Sequence, residues 1–339
     1  MQRRIGQKIK ARIGANENAF GPAPSVIKTI QDHAHETWMY GDPECHDLKH
    51  ALAEHLGLAA ANICVGEGID GLLAYALRLF VEPGTGVATS LGAYPTFNFH
   101  VAACGGRLAT TPYIEDREDL ASLLRLTKAE HARVMYLANP DNPMGTVWPA
   151  QDIQNVMADL PDHSILMLDE AYIEFAEAGT QAPLDVTRKN VLRFRTFSKA
   201  YGLAGARVGY VIGHADVIKA FDKIRNHFGV ARLSQEAALA AIGDQAWLAH
   251  VVGEVKRARQ RIADIAKSNG LKALPSATNF VAVDCGRDGV YAKVIVDRLL
   301  KQGIFVRMPG VAPLNRCIRI SCGTPQDLLA LEHMLPKVL

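Results

Sequence analysis

The chain has 339 residues, of which 49% are hydrophobic and 21% are charged, and its formal net charge is +2. This balance gives no reason to expect nucleic acid as a partner, and no stretch approaches the ~20 continuous apolar residues of a membrane span. The basic start, MQRRIGQKIKAR, lacks the apolar run of a signal peptide, so we interpret it as a solvated arm. The six cysteines are scattered without a C-x-x-C pair, which indicates reduced thiols in a cytoplasmic protein.

The order of the predicted elements indicates two domains of unequal size, which the length allows. Up to about residue 233, continuous apolar strands alternate with helices, a pattern that predicts a parallel sheet covered on both faces. A long helical tract then runs to about residue 269, and three short strands with two helices follow. We therefore predict three parts: an N-terminal segment associated with the small domain, a large domain and a small domain, at residues 1–37, 38–240 and 241–339.

The first predicted helices lie close to the start of the chain. Residues 15–24, ANENAFGPAP, form an ordered loop in this interpretation, and Ser25 is the expected N-cap of a helix that ends near Thr37. A second helix, from about 45 to 56, carries His46 and His50 at i, i+4 spacing. We expect no metal there, because the intervening Asp47 is too short for the general base of a zinc protease and no third ligand is evident.

A glycine-rich turn follows the first predicted strand, which covers residues 62–65. The sequence GEGIDG (66–71) opens a helix to about Phe80 and matches the G-x-G-x-x-G pattern of dinucleotide-binding proteins. That fold also needs an acidic residue at the end of the second strand, and residues 87–97 contain no carboxylate. The turn still predicts a phosphate site on the backbone N–H groups of a helix N-terminus, where Asp70 suits the helix dipole. A dinucleotide site remains the alternative.

The next segment predicts a strand that ends near Ser90 and a helix that begins at YPTF (94–97). Residues 107–131 follow as a strand, an acidic turn and a helix. The ring of Phe97 could provide a flat surface for an aromatic ligand, or it could belong to the hydrophobic core.

Three apolar strands of the large domain each end in a polar side chain; they cover about 133–138, 164–168 and 191–197. In a parallel sheet the carboxyl ends of the strands meet at one edge, and ligands bind there. We therefore expect three polar residues to lie together at this edge: Asn142, Asp169 and Lys199.

Lys199 stands between two segments that are predicted to be buried. Burial removes part of the solvation that favours a charged ammonium, so the free amine becomes available for a Schiff base with an aldehyde. Thr196, Ser198 and Arg207 offer hydroxyls and a guanidinium that suit a phosphate. A Schiff-base lysine beside a phosphate site indicates pyridoxal phosphate (PLP), whereas a strand-end lysine that reaches solvent is the alternative.

Other strand-end residues suit the same cofactor. PLP withdraws electrons only while its pyridine nitrogen is protonated, so a buried carboxylate such as Asp169 must face that nitrogen. Asn142 and Tyr172 can donate hydrogen bonds to its phenolic oxygen. Arg319, in the alternating segment CIRIS, either binds an acidic substrate group or lies on a half-solvated strand.

The ordered motifs resemble a known family. N-P-x-N-P-x-G at 139–145, D-E-A-Y at 169–172, and S-K-A at 198–200 with Arg207 after it are similar to the class I/II aminotransferases of PLP fold type I, most of all to the histidinol-phosphate aminotransferases. ANENAFGP, YGDPE, GEGIDG, YPTF and IRIS-GT also fit, in order. The resemblance implies a three-layer α/β/α large domain with a mostly parallel sheet, a small α+β domain, PLP and a homodimer, without a membrane partner.

The resemblance also implies a role for individual residues. Lys199 would bind the cofactor covalently and move a proton during the reaction, with Asp169 at the pyridine nitrogen. Tyr172 and Asn142 would contact the phenolic oxygen. The cofactor phosphate would be held by Gly68, Ile69, Asp70, Thr196, Ser198 and Arg207.

The remaining implied roles concern the ring, the partner subunit and the substrate. Phe97 would stack on the cofactor ring, and Tyr40 would reach the cofactor phosphate of the other subunit. Arg319, assisted by Arg307, would hold the acidic group of the substrate, and Asn18 lies where some relatives contact a substrate phosphate.

The predicted activity is a transamination between a glutamate-like donor and a 2-oxo acid or phospho-ketone. Met144, Ile69 and Gly71 depart from the usual family pattern and leave the substrate open. A decarboxylase of the threonine-phosphate type and an aminotransferase for aromatic or other amino acids are the alternatives on this scaffold. A ligand-binding domain without activity is a further alternative.

Overall fold

The computed structural model describes residues 8–339. Residues 1–7, which carry part of the predicted basic arm, lie outside the described residues. The strands are β1 (Ala11–Arg12), β2 (Ile63–Gly66), β3 (Gly86–Ser90), β4 (Arg107–Thr111), β5 (Val134–Ala138), β6 (Ile165–Asp169), β7 (Val191–Thr196), β8 (Gly209–Ile212), β9 (Lys272–Ala273), β10 (Phe280–Asp284), β11 (Ile304–Phe305) and β12 (Cys317–Ser321).

The α-helices occur between these strands and at both ends of the described chain. They are α1 (Pro24–His33), α2 (His46–Leu56), α3 (Gly68–Phe80), α4 (Pro95–Ala103), α5 (Leu120–Ala129), α6 (Ala150–Asp159), α7 (Ala215–Phe221), α8 (Arg232–Gly243), α9 (Gln245–Ser268), α10 (Gly289–Lys301) and α11 (Pro325–Val338).

The large sheet has seven strands in the order β2-β8-β7-β6-β5-β3-β4. The neighbours from β7 to β4 are parallel, whereas β8 runs antiparallel to both β7 and β2. All residues of β5, β6 and β7 are buried, because helices cover both faces of a parallel sheet. This mostly parallel, helix-covered sheet confirms the predicted α/β fold.

Strand β5 is apolar throughout, and its alternate residues pack on opposite faces of the sheet. Val134, Tyr136 and Ala138 of β5 belong to a core cluster that includes α3 and α4. Met135 and Leu137 belong to a second cluster, which includes α5 and α6. The three layers therefore follow from the two-residue period of the strand.

A separate three-stranded antiparallel sheet, β12-β10-β9, lies in the C-terminal part of the chain. Helices α9 and α10 pack on it, and β1 near the N-terminus pairs in parallel with β11. Strand β1 thus pairs with the smaller unit, whereas α1 packs on α8. The boundaries at 37/38 and 240/241 stay a prediction.

Several local predictions are corrected. Pro24 begins α1 with Ala23 as its N-cap, and the Ser25 hydroxyl instead donates a hydrogen bond to Asp244 at 2.7 Å. The tract predicted after residue 233 consists of α8 and α9, separated at Asp244, whose side chain accepts from the Trp247 N–H. Helices α6 and α7 were not predicted. Across residues 8–339, no helix combines the length and the apolar character that crossing a bilayer requires.

Candidate active site

A cavity of about 590 Å³ opens at the carboxyl ends of β5, β6 and β7, facing segments of the small unit. Eleven of the residues predicted for the site line it together: Ile69, Asp70, Asn142, Asp169, Tyr172, Thr196, Ser198, Lys199, Arg207, Arg307 and Arg319. The strand-end argument therefore located a real cavity, since parallel strands bring the residues at and shortly after their carboxyl ends to the same edge of the sheet.

One end of the cavity is built to receive an anion. Helix α3 begins at Gly68 without a side-chain cap, and Ile69 and Asp70 at its first turn line the cavity. Arg207 donates from Nη1 to the Ser198 hydroxyl at 3.2 Å. Gly68 has a φ of 76°, and a Cβ at this position would lie 2.5 Å from Nη2 of Arg207. Glycine therefore lets the guanidinium approach the helix N-terminus, where both attract negative charge.

Lys199 follows β7 and points into the cavity. Its Nζ donates to the carbonyl oxygen of Asn16 at 3.3 Å and lies 5.4 Å from the centroid of the Tyr172 ring. No carboxylate forms an ion pair with Lys199 among residues 8–339. The amine thus has one weak acceptor and an aromatic neighbour, a setting that leaves it accessible to an aldehyde in the cavity.

Asp169, the last residue of β6, is buried at the floor of the cavity. It accepts hydrogen bonds from the Tyr136 hydroxyl at 2.7 Å and from the Ala171 N–H at 2.9 Å. Burial raises the pKa of Asp169 to about 6, and the two donors oppose that rise only in part. A cationic ring nitrogen beside this carboxyl would supply the missing positive charge.

Asn142 and Arg319 meet at the other end of the cavity. Nη1 of Arg319 donates to Oδ1 of Asn142 at 2.6 Å, while Nε of Arg319 is buried without a partner. Burial also lowers the pKa of Arg319. Arg307 lies on the neighbouring segment and exchanges two backbone hydrogen bonds with Arg319. Arg319 is therefore a half-buried cation whose Nε has unused donor capacity, on a strand whose other residues are buried.

Asn16 is a central residue of the site that the sequence interpretation missed. Its side-chain N–H donates to the Tyr172 hydroxyl at 3.1 Å, and its side-chain oxygen accepts from Ser321 at 3.2 Å. Asn279 donates to its carbonyl oxygen at 3.1 Å. Asn16 has a φ of 55°, which asparagine tolerates better than most residues. The motif ANENAF contains two asparagines and indicated a site residue, but the sequence alone does not show which asparagine faces the cavity.

The structure corrects the position of the aromatic ring. Phe97 is fully buried and stacks on Tyr136, with 4.2 Å between the ring centroids, and it does not line the cavity. Tyr94 lines the cavity instead and donates from its hydroxyl to Asp70 at 2.8 Å. Pro95 begins α4, so Tyr94 lies before the helix and faces the cavity, whereas Phe97 turns toward the core.

Two further predicted residues lie outside the cavity lining. Tyr40 is 81% exposed and its ring centroid lies 5.0 Å from that of Phe228. Asn18 donates to the carbonyl oxygen of Ala200 at 3.0 Å, next to Lys199, and accepts from the Phe20 N–H. Asn18 thus lies beside Lys199 but not in the cavity lining, and the role predicted for Tyr40, at the cofactor phosphate of the other subunit, stays a prediction.

The donor set fits PLP. The uncapped start of α3, the Ser198 hydroxyl and the Arg207 guanidinium suit its phosphate, and Lys199 suits its aldehyde. Asp169 is a buried carboxyl that forms no ion pair within residues 8–339. A protonated pyridine nitrogen would provide the cation that it lacks. The described residues contain no cluster of three or more His, Cys, Asp or Glu side chains arranged to hold a metal ion.

Comparison with known proteins gives a consistent result. The family model "Aminotransferase class I and II" matches residues 8–333. A histidinol-phosphate aminotransferase of Moorella thermoacetica is 30% identical over 343 residues, which cover 100% of this chain and 88% of that protein. Histidinol-phosphate aminotransferase 2 of Pseudomonas fluorescens is 33% identical over 332 residues, covering 97% of this chain and 88% of its own.

Solved structures agree with this assignment. The histidinol-phosphate aminotransferase of Sinorhizobium meliloti, crystallised in complex with PLP, has a TM-score of 0.98 and 57% identity, covering 99% of this chain and 93% of its own. Aspartate aminotransferase of Thermus thermophilus with maleate has a TM-score of 0.86 at 23% identity, over 99% and 93% of the two chains, and shows the fold alone. The predicted fold, enzyme class and cofactor are confirmed: the chain belongs to the class I and II aminotransferases, the PLP-dependent transaminases of fold type I.

Proposed function

We propose that this transaminase moves an amino group between a glutamate-like donor and a phospho-ketone, as a histidinol-phosphate aminotransferase does. The observation that carries the proposal is the pair Arg307 and Arg319, which line the cavity on neighbouring segments of the small unit, apart in the chain from the anion site at α3. Arg319 keeps a buried, unpartnered Nε. Two guanidiniums at one place suit a dianionic group better than a neutral one.

The wall of the cavity supports a substrate with a flat or apolar part. Leu91, Met308 and Val311 line the cavity on the side of the two arginines, and a Cβ on Gly92 would lie 2.4 Å from a methyl group of Val311. The close approach of these two loops leaves an apolar wall beside a cationic end. An imidazole ring with a phosphate group on a short chain has both features.

Bound PLP would act as an electron sink for the carbon that exchanges its amino group. In this proposal Nζ of Lys199 would hold the cofactor covalently and, once the amino group of the substrate has displaced it, would be free to move the proton, while Asp169 would keep the ring nitrogen protonated. Tyr172 and Asn142 donate to the phenolic oxygen. Tyr94, in place of Phe97, provides the ring that flanks the cofactor.

The phosphate of PLP would occupy the cup at the start of α3. Backbone N–H groups from Gly68 to Asp70 and the side chains of Ser198 and Arg207 are its proposed donors, and Thr196 supports them by accepting from the Ser198 N–H at 3.0 Å. These groups bind and orient the cofactor but take no part in proton transfer.

A homodimer in the cytoplasm is part of the same proposal. Trp38 and Tyr40 are each 81% exposed and Phe228 is 52% exposed, which is a large apolar surface for one chain to leave in water. A second copy of the chain that covers this surface would bring Tyr40 to the cofactor phosphate of its partner. All six cysteines are free thiols, which supports a reducing compartment.

The test is an absorbance spectrum of the PLP-loaded protein, before and after addition of L-histidinol phosphate. We expect the visible cofactor band to give way to a near-ultraviolet band, and 2-oxoglutarate to restore it. L-histidinol, which lacks only the phosphate, is the matched control and should act at least about tenfold more weakly, since it leaves the buried Nε of Arg319 unpaired.

Other outcomes would redirect or overturn the proposal. Equal responses to histidinol and its phosphate would contradict the role of Arg307 and Arg319. A response only to aromatic amino acids would favour the aromatic aminotransferase alternative. Release of carbon dioxide from threonine phosphate without an amino acceptor would favour the decarboxylase.

A further inference from the structure

A cluster of three buried carboxyl groups lies at and beneath the floor of the cavity. Asp169 ends β6, Asp141 lies in the turn after β5, and Glu118 precedes α5; they are 6%, 2% and 1% exposed. Only Asp169 lines the cavity. None of the three forms an ion pair with a lysine, arginine or histidine of residues 8–339. The cluster therefore has more acidic groups than the proposed chemistry uses.

The three carboxyls differ in how well their negative charge is supported. Asp169 accepts from a tyrosine hydroxyl and a backbone N–H, with the charge of Lys199 nearby. Asp141 accepts from the Tyr113 hydroxyl at 2.8 Å and the Met144 N–H at 2.9 Å, and the charge of Arg319 opposes the rise that burial causes in its pKa. Both aspartates thus have two donors each.

Glu118 has less support. Its Oε1 accepts from the Ala138 N–H at 3.0 Å, whereas its Oε2 is buried without a hydrogen bond of normal geometry. The hydroxyl of Ser90 lies beside this carboxyl and is itself buried without such a bond. The Ser90 hydroxyl and the Ala138 N–H favour the ionised carboxyl but offset burial only in part, so a proton on Oε2 would remove one of three mutually repelling buried charges.

Glu118 is also attached to the segment that carries Asn142. Ala138, whose N–H it binds, is the last residue of β5, and the carbonyl oxygen of Glu118 accepts from Nε1 of Trp148 at 3.0 Å. Trp148 in turn exchanges two hydrogen bonds with Asn139, at 2.8 and 3.1 Å. Glu118 thus holds both ends of the turn in which Asp141 and Asn142 lie.

We propose that Glu118 is a positioning residue of the transaminase site, which stays protonated in the folded enzyme so that Asp169 can be ionised and which fixes the turn that presents Asn142. The proposal rests on the proposed roles of Asp169 and Asn142. The direction of the pKa shift agrees with it, because burial, and then the charge of Asp141, raise the pKa of Glu118 to about 8.

The first experiment tests the proton and needs no cofactor. Glu118→Gln keeps the shape of the side chain and its acceptor for Ala138, but cannot ionise. A carboxyl whose pKa is raised on folding stabilises the protein below its ordinary pKa, and this contribution is lost as pH rises through the folded value. The melting temperature of Glu118→Gln minus that of the wild type should therefore increase from about pH 5 to about pH 8 and then level off.

The second experiment tests the link to the site. Glu118→Leu removes the acceptor for the Ala138 N–H, and we expect the dissociation constant of PLP, measured by titrating the apoenzyme at pH 7, to rise about tenfold. Glu118→Gln should restore an affinity close to that of the wild type. Glu174→Gln is the matched control: Glu174 is a buried carboxyl whose pKa burial raises to about 7, but Arg195 and Glu170 are its charged neighbours.

Each outcome supports or overturns the proposal. A flat difference in melting temperature would mean that Glu118 holds no proton, and equal PLP affinity of Glu118→Leu and the wild type would mean that it positions nothing. If Glu118→Leu fails to fold, a weakened PLP affinity of Glu118→Gln at pH 7 would still contradict the proposal. If instead the wild type binds PLP but reacts with no amino donor, the proposed function fails while both Glu118 results stand.

Discussion

Asp169 and Glu170 are neighbours in the sequence and both are buried carboxyls, yet they lie on opposite faces of the sheet and have different charged surroundings. Glu170 forms ion pairs with Arg193 at 2.5 Å and Arg195 at 2.9 Å. Although burial alone raises it, the pKa of Glu170 is lowered by the charges of these arginines. Asp169 forms no ion pair with any residue from 8 to 339, and burial raises its pKa to about 6.

The difference shows how this fold separates stability from chemistry. On the face of Glu170 the chain supplies both the anion and its cations. Removing one partner of such a buried ion pair lowers the free energy of unfolding by several kcal/mol. On the cavity face the chain supplies Asp169 without an ion-pair partner from residues 8–339, and the cofactor would supply that cation. We therefore expect substitutions on the cavity face to lower activity, and substitutions on the opposite face to lower the free energy of unfolding.

The largest effect is expected at Lys199. Lys199→Ala removes the amine that binds PLP covalently and moves the proton, so turnover should fall on the order of 10³-fold or more, with little change in the free energy of unfolding. Steady-state kinetics and denaturant unfolding measure the two quantities. Lys189→Ala, which removes a lysine from an exposed pair with Asp216, is the control and should change neither. Near wild-type turnover in Lys199→Ala would contradict the mechanism.

The opposite face should respond in stability. Glu170→Gln leaves Arg193 and Arg195 buried without their anion, and the free energy of unfolding should fall by about 3–5 kcal/mol. Urea unfolding measures it. Glu177→Gln, which disrupts an exposed pair with Lys256, should have no measurable effect. A Glu170→Gln protein as stable as the wild type would show that the arginines find other acceptors.

A smaller effect is expected from the donor to Asp169. Tyr136→Phe keeps the ring that stacks on Phe97 but removes the hydroxyl that donates at 2.7 Å. We expect PLP to bind about fivefold to tenfold more weakly, because an ionised Asp169 loses one of two donors. The PLP dissociation constant gives the result, and Tyr113→Phe, which affects Asp141, serves as a comparison. No change in Tyr136→Phe would mean that this hydroxyl does not support the charge.

The smallest effect concerns the pH dependence of apoenzyme stability. Because the pKa of Asp169 is raised on folding, its contribution is present below about pH 4 and is lost as pH rises through about 6. The melting temperature of Asp169→Asn minus that of the wild type should increase over this range. For Glu170 the pKa is lowered, so its contribution should be lost as pH falls below about 4.5. If the contributions of Asp169 and Glu170 to stability changed in the same direction with pH, the proposed difference between the two carboxyls would be wrong.

The position of the cavity could be predicted because the ends of buried parallel strands can be recognised in a sequence. Continuous apolar runs identify buried parallel strands, and the residues after them, such as Asn142 and Asp169, must share one edge. Helix α3 was found for a similar reason, since its glycine turn follows a strand directly. These features depend on short local patterns, each contained in one continuous segment of the chain.

The features that were missed depend on tertiary packing. Tyr94 and Phe97 are both aromatic, and only the position at which α4 begins decides which of them faces the cavity. Asn16 and Asn18 are two residues apart in a segment without a regular period. Glu118 lies in a stretch of acidic residues that indicated a solvated turn, yet it is buried because the turn packs on β5.

The most direct test compares Asp169→Asn with Glu170→Gln, measuring PLP affinity and the free energy of unfolding for both apoenzymes at pH 7. We predict that Asp169→Asn binds PLP at least about tenfold more weakly and unfolds no more easily than the wild type, because it removes an unpaired buried acid. Glu170→Gln should be strongly destabilised in the same assay. The reverse pattern, or equal losses of stability in the two variants, would contradict the division of the sheet into a chemical face and a structural face.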